Sequence, residues 1–244
     1  MSDYYSPSKT EYYCPVCGEL TDQWRYSEDV GYANWVHCRC RCERRKHAAW
    51  LRKKCGIADA LYTEARFEND TADQPELADR MRRYAEHFDE MRETGTGLLL
   101  YGSVGTGKTF YGSCICNAII DAGHTAAFVT ASAIARVPFA EWEQKLNSLL
   151  AFDLVVLDDL GAERSSNLAT ERVYDVVDGR YRAKRPCIIT TNSTLPELAG
   201  AGGAFGRICD RIRGRCISVA VMGESKRVRE GREAFERLRE IIGS

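Results

Sequence analysis

The stretch Gly102-Ser-Val-Gly-Thr-Gly-Lys-Thr109 limits the possible folds of this sequence more than any other. It fits the pattern G-x-x-x-x-G-K-[ST], whose glycines allow the backbone to approach phosphate groups closely. The apolar run Leu98–Tyr101 predicts a buried strand before the loop, and Phe110–Ala122 has the apolar spacing of a helix after it. This order of strand, glycine loop and helix favours a nucleotide-phosphate site.

The residues of this loop have separate chemical roles. Successive backbone N–H groups form a concave anion site, and the following helix adds the positive end of its dipole. Lys108 brings a positive charge to the β- and γ-phosphates, and Thr109 offers a hydroxyl to Mg²⁺. The residues expected to bind ATP are Gly102, Ser103, Val104, Gly105, Thr106, Gly107, Lys108, Thr109 and Phe110.

Two later apolar runs end in polar side chains. Leu154-Val-Val-Leu-Asp158-Asp159 supplies the carboxylates that phosphoryl transfer requires to hold Mg²⁺ and orient water. Asp158 is the expected Mg²⁺ partner, and Asp159 is the candidate base that activates water. Ile188-Ile-Thr-Thr-Asn192 places an amide where it can align the attacking water, although many strands end in such a turn.

Strands and helices alternate along the chain, which predicts an α/β fold with a parallel sheet. One helix is expected over Glu76–Arg92, and a helical region with a break near Pro138 is expected over Ala131–Leu150. The length of 244 residues fits one main domain with a small appendage.

Five of the eleven cysteines fall between Cys14 and Cys42. In a reducing compartment this clustering indicates metal binding rather than disulfides, and four thiolates suit structural Zn²⁺. A redox C-x-x-C pair is disfavoured, because the surrounding sequence lacks a thioredoxin-like βαβ pattern. Three sulfurs compete for two places beside His37. The favoured zinc ligands are Cys14, Cys17, Cys38 and Cys40, with Cys42 as the competing ligand.

Charge and hydropathy restrict the location and the partners. No apolar run approaches the roughly 20 residues that span a bilayer, and the N-terminus lacks the pattern of a signal peptide. We therefore expect a cytoplasmic protein with no membrane partner. The formal net charge of −1 gives no global attraction for nucleic acid, so DNA contacts would come from local basic patches at Arg39–Lys54 or Arg207–Arg239.

Three motifs together carry a resemblance to a known family. Gly102–Thr109, Leu154–Gly161 and Arg185–Asn192, in this order and spacing, resemble AAA+ ATPases. More narrowly, they are similar to the DnaC/DnaI-type replicative helicase loaders and the related IstB-like transposition ATPases. The resemblance covers roughly residues 60–240. It implies an AAA+ P-loop NTPase fold, with a parallel central sheet flanked by helices and a small N-terminal zinc-binding module.

This resemblance also assigns roles to single residues. Asn192 matches the sensor 1 position, and Arg227 matches the sensor 2 arginine that contacts phosphate in its own subunit. Arg211 matches the arginine finger that reaches a neighbouring subunit, with Arg207 as the alternative. A planar, permanently charged guanidinium suits the charge of a transferring phosphoryl group. The resulting catalytic set is Lys108, Asp159, Asn192 and Arg211.

The function implied is an ATP-dependent loader that self-associates, binds a hexameric DnaB-type helicase and places it on single-stranded DNA. Residues 1–55 would form the zinc-binding docking module, and residues 56–244 the ATPase domain. Asp159 departs from the common Asp-Glu pair of AAA+ proteins, which is consistent with slow hydrolysis. Two alternatives are a transposition ATPase that delivers a transposase and a nucleotide-gated adaptor with little turnover.

Overall fold

The chain forms a small antiparallel sheet near its N-terminus and a larger parallel sheet in the computed structural model. The residues that the structure describes are 11–27, 32–37, 40, 42–43, 46, 50, 63–70, 74–161, 167–200 and 202–242. The small sheet has the order β1-β2-β3. Its strands are β1 (Glu11–Tyr13), β2 (Leu20–Ser27) and β3 (Tyr32–His37).

The larger sheet consists of five parallel strands in the order β5-β6-β7-β4-β8. They are β4 (Gly97–Tyr101), β5 (Ala126–Thr130), β6 (Leu154–Leu160), β7 (Cys187–Thr191) and β8 (Cys216–Ala220). Strands buried on both faces are continuous apolar runs, which explains the sequences of β4, β6 and β7. The expected α/β fold with a parallel sheet is confirmed.

Helices cover both faces of this sheet. They are α1 (Pro75–Glu86), α2 (Phe88–Thr94), α3 (Lys108–Asp121), α4 (Ala131–Ala135), α5 (Phe139–Ala151), α6 (Asn167–Arg182), α7 (Leu195–Gly200), α8 (Gly203–Arg215) and α9 (Lys226–Ile242). The single helix expected over Glu76–Arg92 is wrong, because His87 leaves the helical region at φ −98° and ψ 26° and separates α1 from α2. The expected break near Pro138 lies between α4 and α5.

Two apolar cores lie on opposite faces of the sheet. Tyr111 and Ile115 of α3 pack with Leu98 on one face. Val173 of α6 and Ile208 of α8 pack on the other. Because the strands are parallel, the carboxyl ends of the neighbouring strands β6, β7 and β4 lie side by side. Ligands of open α/β sheets bind at this edge.

Candidate nucleotide and metal sites

The glycine loop joins the carboxyl end of β4 to the first turn of α3. Gly105 has a φ of +84°, and a Cβ there would overlap the Ser225 hydroxyl and lie 2.8 Å from the Ser225 Cβ. Gly107, at φ +104°, precedes the helix directly. The loop therefore needs glycine both for its backbone shape and for the segment packed against it.

Lys108 lies inside the loop rather than in solvent. Its Nζ donates to the carbonyl oxygens of Gly102 at 2.9 Å and of Ser103 at 2.6 Å. Burial lowers the pKa of the Lys108 ammonium, while the nearby Asp159 and Asp158 oppose this effect. A cation held at this place is suited to bind phosphate oxygens.

Thr109 and Asp158, the two residues expected to hold Mg²⁺, are in direct contact. The Thr109 hydroxyl donates to Asp158 Oδ1 at 3.0 Å, and the Thr190 hydroxyl donates to the same oxygen at 2.7 Å. Asp158 is only 4% exposed, and its burial raises the pKa of the carboxyl. Hydroxyl and carboxylate oxygens are the hard donors that Mg²⁺ binds, so this pair fits the cation.

Asp159 and Asn192 form the next part of the site. Asn192 Nδ2 donates to Asp159 Oδ1 at 3.0 Å. Asp159 has a φ of +59°, an uncommon conformation for a residue with a side chain, and such residues cluster at functional sites. The expected water-activating acid and the expected sensor 1 amide are therefore in direct contact.

The start of α9 packs against the loop. The backbone N–H of Lys226 donates to the Gly105 carbonyl at 2.9 Å. The positive charge of Arg227 contributes to lowering the Lys108 pKa, so the expected sensor 2 arginine lies near the loop lysine. This packing brings residues of the C-terminal helix to the phosphate site.

A partly buried ion pair near the loop was missed in the sequence. Lys226 Nζ lies 2.8 Å from Asp70 Oδ1, and the Tyr111 hydroxyl donates to Asp70 Oδ2 at 2.7 Å. Lys226 also lies over the Phe110 ring, 4.5 Å from its centroid. Asp70 and Lys226 are 156 positions apart, so no local pattern could have paired them.

The two candidate arginine fingers lie on α8 and are held by acids of α6. Arg211 Nε donates to Asp178 Oδ1 at 2.8 Å, and the guanidinium lies over the Tyr181 ring. Arg207 Nη2 lies 2.8 Å from both carboxylate oxygens of Glu171. Within one chain both arginines therefore take part in the packing of α6 against α8.

The cysteine cluster brings together four sulfurs that all lie within 4.8 Å of one another. The cysteines are Cys14, Cys17, Cys40 and Cys42. Cys42, which was expected as the competing ligand, completes this set, while the favoured Cys38 lies outside the described residues. Sulfurs around one Zn²⁺ stand about 3.8 Å apart, given a Zn–S length of about 2.3 Å, so the cluster fits a tetrahedral zinc ion.

The cysteine thiols differ in acidity. A hydrogen bond from the Glu19 backbone lowers the pKa of Cys17 to about 6. A hydrogen bond shared with Cys17 raises the pKa of Cys42 to about 11. Metal binding at such a cluster therefore depends on pH, because zinc binds thiolates.

The glycine loop, the five-stranded parallel sheet and the acids at its edge define a P-loop nucleotide-binding domain with the AAA+ order of strands. Among the helices that the structure describes, none is both long and apolar enough to span a membrane. Residues 43–234 match the family described as IstB-like ATP binding protein. The chain belongs to this family.

The chain is also similar to individual helicase loaders. The replicative helicase loader DnaC of Escherichia coli K12 is 29% identical over 163 residues, which cover 63% of this chain and 64% of DnaC. The chain thus spans less than two thirds of that relative. A crystal structure of the DnaC helicase loader aligns with a TM-score of 0.59 at 23% identity, over 67% of this chain and all of that one. A crystal structure of DnaI aligns with a TM-score of 0.56 at 24% identity, over 70% and 94% of the two chains.

Proposed function

We propose that the chain is an ATP-dependent loader of a replicative helicase. The observation that carries the ATPase part is the meeting of the loop, the Asp158–Asp159 pair and Asn192 at the ends of three neighbouring strands. The helicase part is supported by the similarity to DnaC, whose name states that role.

In the proposed reaction, water attacks the γ-phosphorus of ATP and the bond to the β–γ bridging oxygen breaks, giving ADP and phosphate. Asp159 accepts the proton of the water, and Asn192 sets the direction of that carboxylate through its 3.0 Å hydrogen bond. Lys108 stabilises the charge on the phosphate oxygens. Mg²⁺, when bound, would be held by Thr109 and Asp158 and would offset phosphate charge.

Hydrolysis is proposed to require a second copy of the chain. Arg211 would leave Asp178 and reach the γ-phosphate bound to the neighbouring subunit. The tip is accessible enough for this exchange, since the Arg211 side chain is 30% exposed. Arg207, which is 51% exposed, is the alternative finger. Self-association would thereby control turnover.

The cysteine cluster is proposed to hold structural Zn²⁺ and to form part of the surface that docks on a hexameric DnaB-type helicase. Very small domains bury too little apolar surface to be stable alone, so a bound metal ion would stabilise the three-stranded sheet. The N-terminal module would then recognise the helicase while the ATPase domain controls release.

Single-stranded DNA is the proposed second partner. Phe139 begins α5 and is 86% exposed, which suits stacking on an unpaired base. Arg136 and Lys145 are the basic residues of the α4–α5 region and would contact the backbone. Phe139→Ala is expected to weaken binding of a fluorescent oligonucleotide about tenfold without changing ATP affinity. Equal DNA affinity would place the strand elsewhere.

One second candidate is an IstB-like ATPase that delivers a transposase to target DNA, since the matching family is described as IstB-like. It would use the same active site with a different partner. The test is phosphate release, measured with single-stranded DNA and with either the helicase or the transposase of the same genome. A loader is expected to respond to the helicase. A response to the transposase alone would support the second candidate, and nucleotide binding without turnover would support an adaptor.

A further inference from the structure

Strand β6 contains a bulge at its two acidic residues. Its pairing with β7 is regular up to Leu157, which lies opposite Ile189, but Leu160 then lies opposite Thr191. Asp158 and Asp159 therefore share one partner position on β7, which Thr190 occupies. Bulges of this kind redirect side chains and are common beside active sites.

The Thr190 hydroxyl bonds to both acidic residues at once. It donates to Asp158 Oδ1 at 2.7 Å and accepts from the Asp159 backbone N–H at 2.9 Å. Thr190 is 1% exposed, so water has little access to replace these bonds. The second bond satisfies a backbone N–H that the regular ladder does not reach at the bulge.

The bulge has a direct consequence for the site. Neighbouring residues of a regular strand point to opposite faces of the sheet, which would separate the two carboxylates. Here both carboxylates lie close enough to Lys108 to oppose the lowering of its pKa. Asp159 reaches this place in the left-handed conformation, at φ +59°.

We propose that Thr190 is a positioning residue that holds Asp158 and Asp159 together for Mg²⁺ binding and hydrolysis. This inference rests on the proposed function of the same site. Thr190 acts through the two acids: its hydroxyl orients the Mg²⁺-binding carboxylate and fixes the backbone of the water-activating residue. Its removal should therefore affect the metal-dependent part of nucleotide binding, and not the part that the loop provides.

The adjacent residue offers a matched control. Thr191 is also fully buried on β7, but its hydroxyl donates to the Leu160 carbonyl at 2.8 Å. Thr190→Val and Thr191→Val remove the same atom from neighbouring buried positions. Thr190→Ser keeps the hydroxyl and removes only the methyl group that lies 3.7 Å from the position of a Gly112 Cβ.

The experiment measures the affinity for a fluorescent ATP analogue with and without Mg²⁺ in the full-length chain. The factor by which Mg²⁺ increases the nucleotide affinity should be at least tenfold smaller in Thr190→Val than in the wild type. The affinity without Mg²⁺ should stay within about twofold of the wild type. Thr190→Ser and Thr191→Val should keep the gain. Turnover should fall most in Thr190→Val. If Thr190→Val is insoluble, Thr190→Cys replaces it with the same expectation, because a thiol is a weak donor and acceptor.

Two results would overturn the inference. One is a wild-type Mg²⁺ gain in Thr190→Val. The other is an equal loss in Thr191→Val, which would indicate a general effect of disturbing β7. If Mg²⁺ does not change the nucleotide affinity of the wild-type chain, the proposed function of the site is contradicted instead. Failure of the Thr190 inference and failure of the proposed function therefore give different results.

Discussion

The packing of the C-terminal segment on the glycine loop makes Gly105→Ala an informative change. An alanine at φ +84° carries a left-handed strain of about 1–2 kcal/mol. Its Cβ would also displace Ser225 and break the 2.9 Å bond from the Lys226 N–H, which is worth about 0.5–1.5 kcal/mol. Alanine also lowers the conformational entropy of the unfolded chain, which offsets about 0.4–1 kcal/mol of this loss in stability. The expected net loss is about 0.5–3 kcal/mol in the free energy of unfolding.

Gly123→Ala is the control, because Gly123 has a φ of +99° and nothing lies within 4 Å of its added Cβ. The control has the same backbone strain but no overlap with a neighbouring segment. Urea unfolding should therefore show that Gly105→Ala loses about 1 kcal/mol more of the free energy of unfolding than Gly123→Ala. Ser225→Gly should recover part of that excess in the double variant. Equal losses in the two single variants, or no recovery, would refute the docking of the Ser225–Lys226 segment on the loop.

Three further predictions concern the other parts of the site. Lys108→Ala should weaken ATP binding about ten- to hundredfold through the loss of a charged hydrogen bond, as measured by titration calorimetry, and an unchanged affinity would contradict the phosphate role. Cys14→Ser should lower the zinc content from about one ion per chain, measured by elemental analysis, and a zinc-free wild type would contradict the metal site. Arg211 lowers the pKa of Asp178, so this pair stabilises the fold above pH of about 4 and the contribution fades as the pH falls through the folded pKa. Arg211→Ala should lower the free energy of unfolding at pH 7, with a smaller difference in acid, and a pH-independent difference would contradict the ion pair.

Much of the α/β fold follows from local sequence signals. The strand Leu98–Tyr101, the glycine loop and the helix after it were predictable because each depends on neighbouring residues: apolar runs, glycines and helical spacing. The acids at the end of β6 were found for the same reason. The contact of Asp159 with Asn192 follows from the parallel sheet, since the ends of neighbouring strands meet at one edge.

The missed features depend on contacts between distant segments. The bulge at Asp158–Asp159 is a property of the pairing with β7, and neither strand shows it alone. Likewise, Asp70 stands in an irregular segment, and its partner Lys226 belongs to the last helix. The choice between Cys38 and Cys42 could not be made from spacing, because either sulfur can join Cys40 at one metal ion.

The measurement that tests the loader proposal most directly is the mass of the complex formed with the replicative helicase of the same genome. Multi-angle light scattering would be recorded with ATP and Mg²⁺, with ADP, and without nucleotide. A loader should form a complex of defined stoichiometry with ATP, and Cys14→Ser should weaken it. Helicase and chain that elute separately in every nucleotide state, while the chain binds ATP, would contradict the loader role and leave the nucleotide site intact.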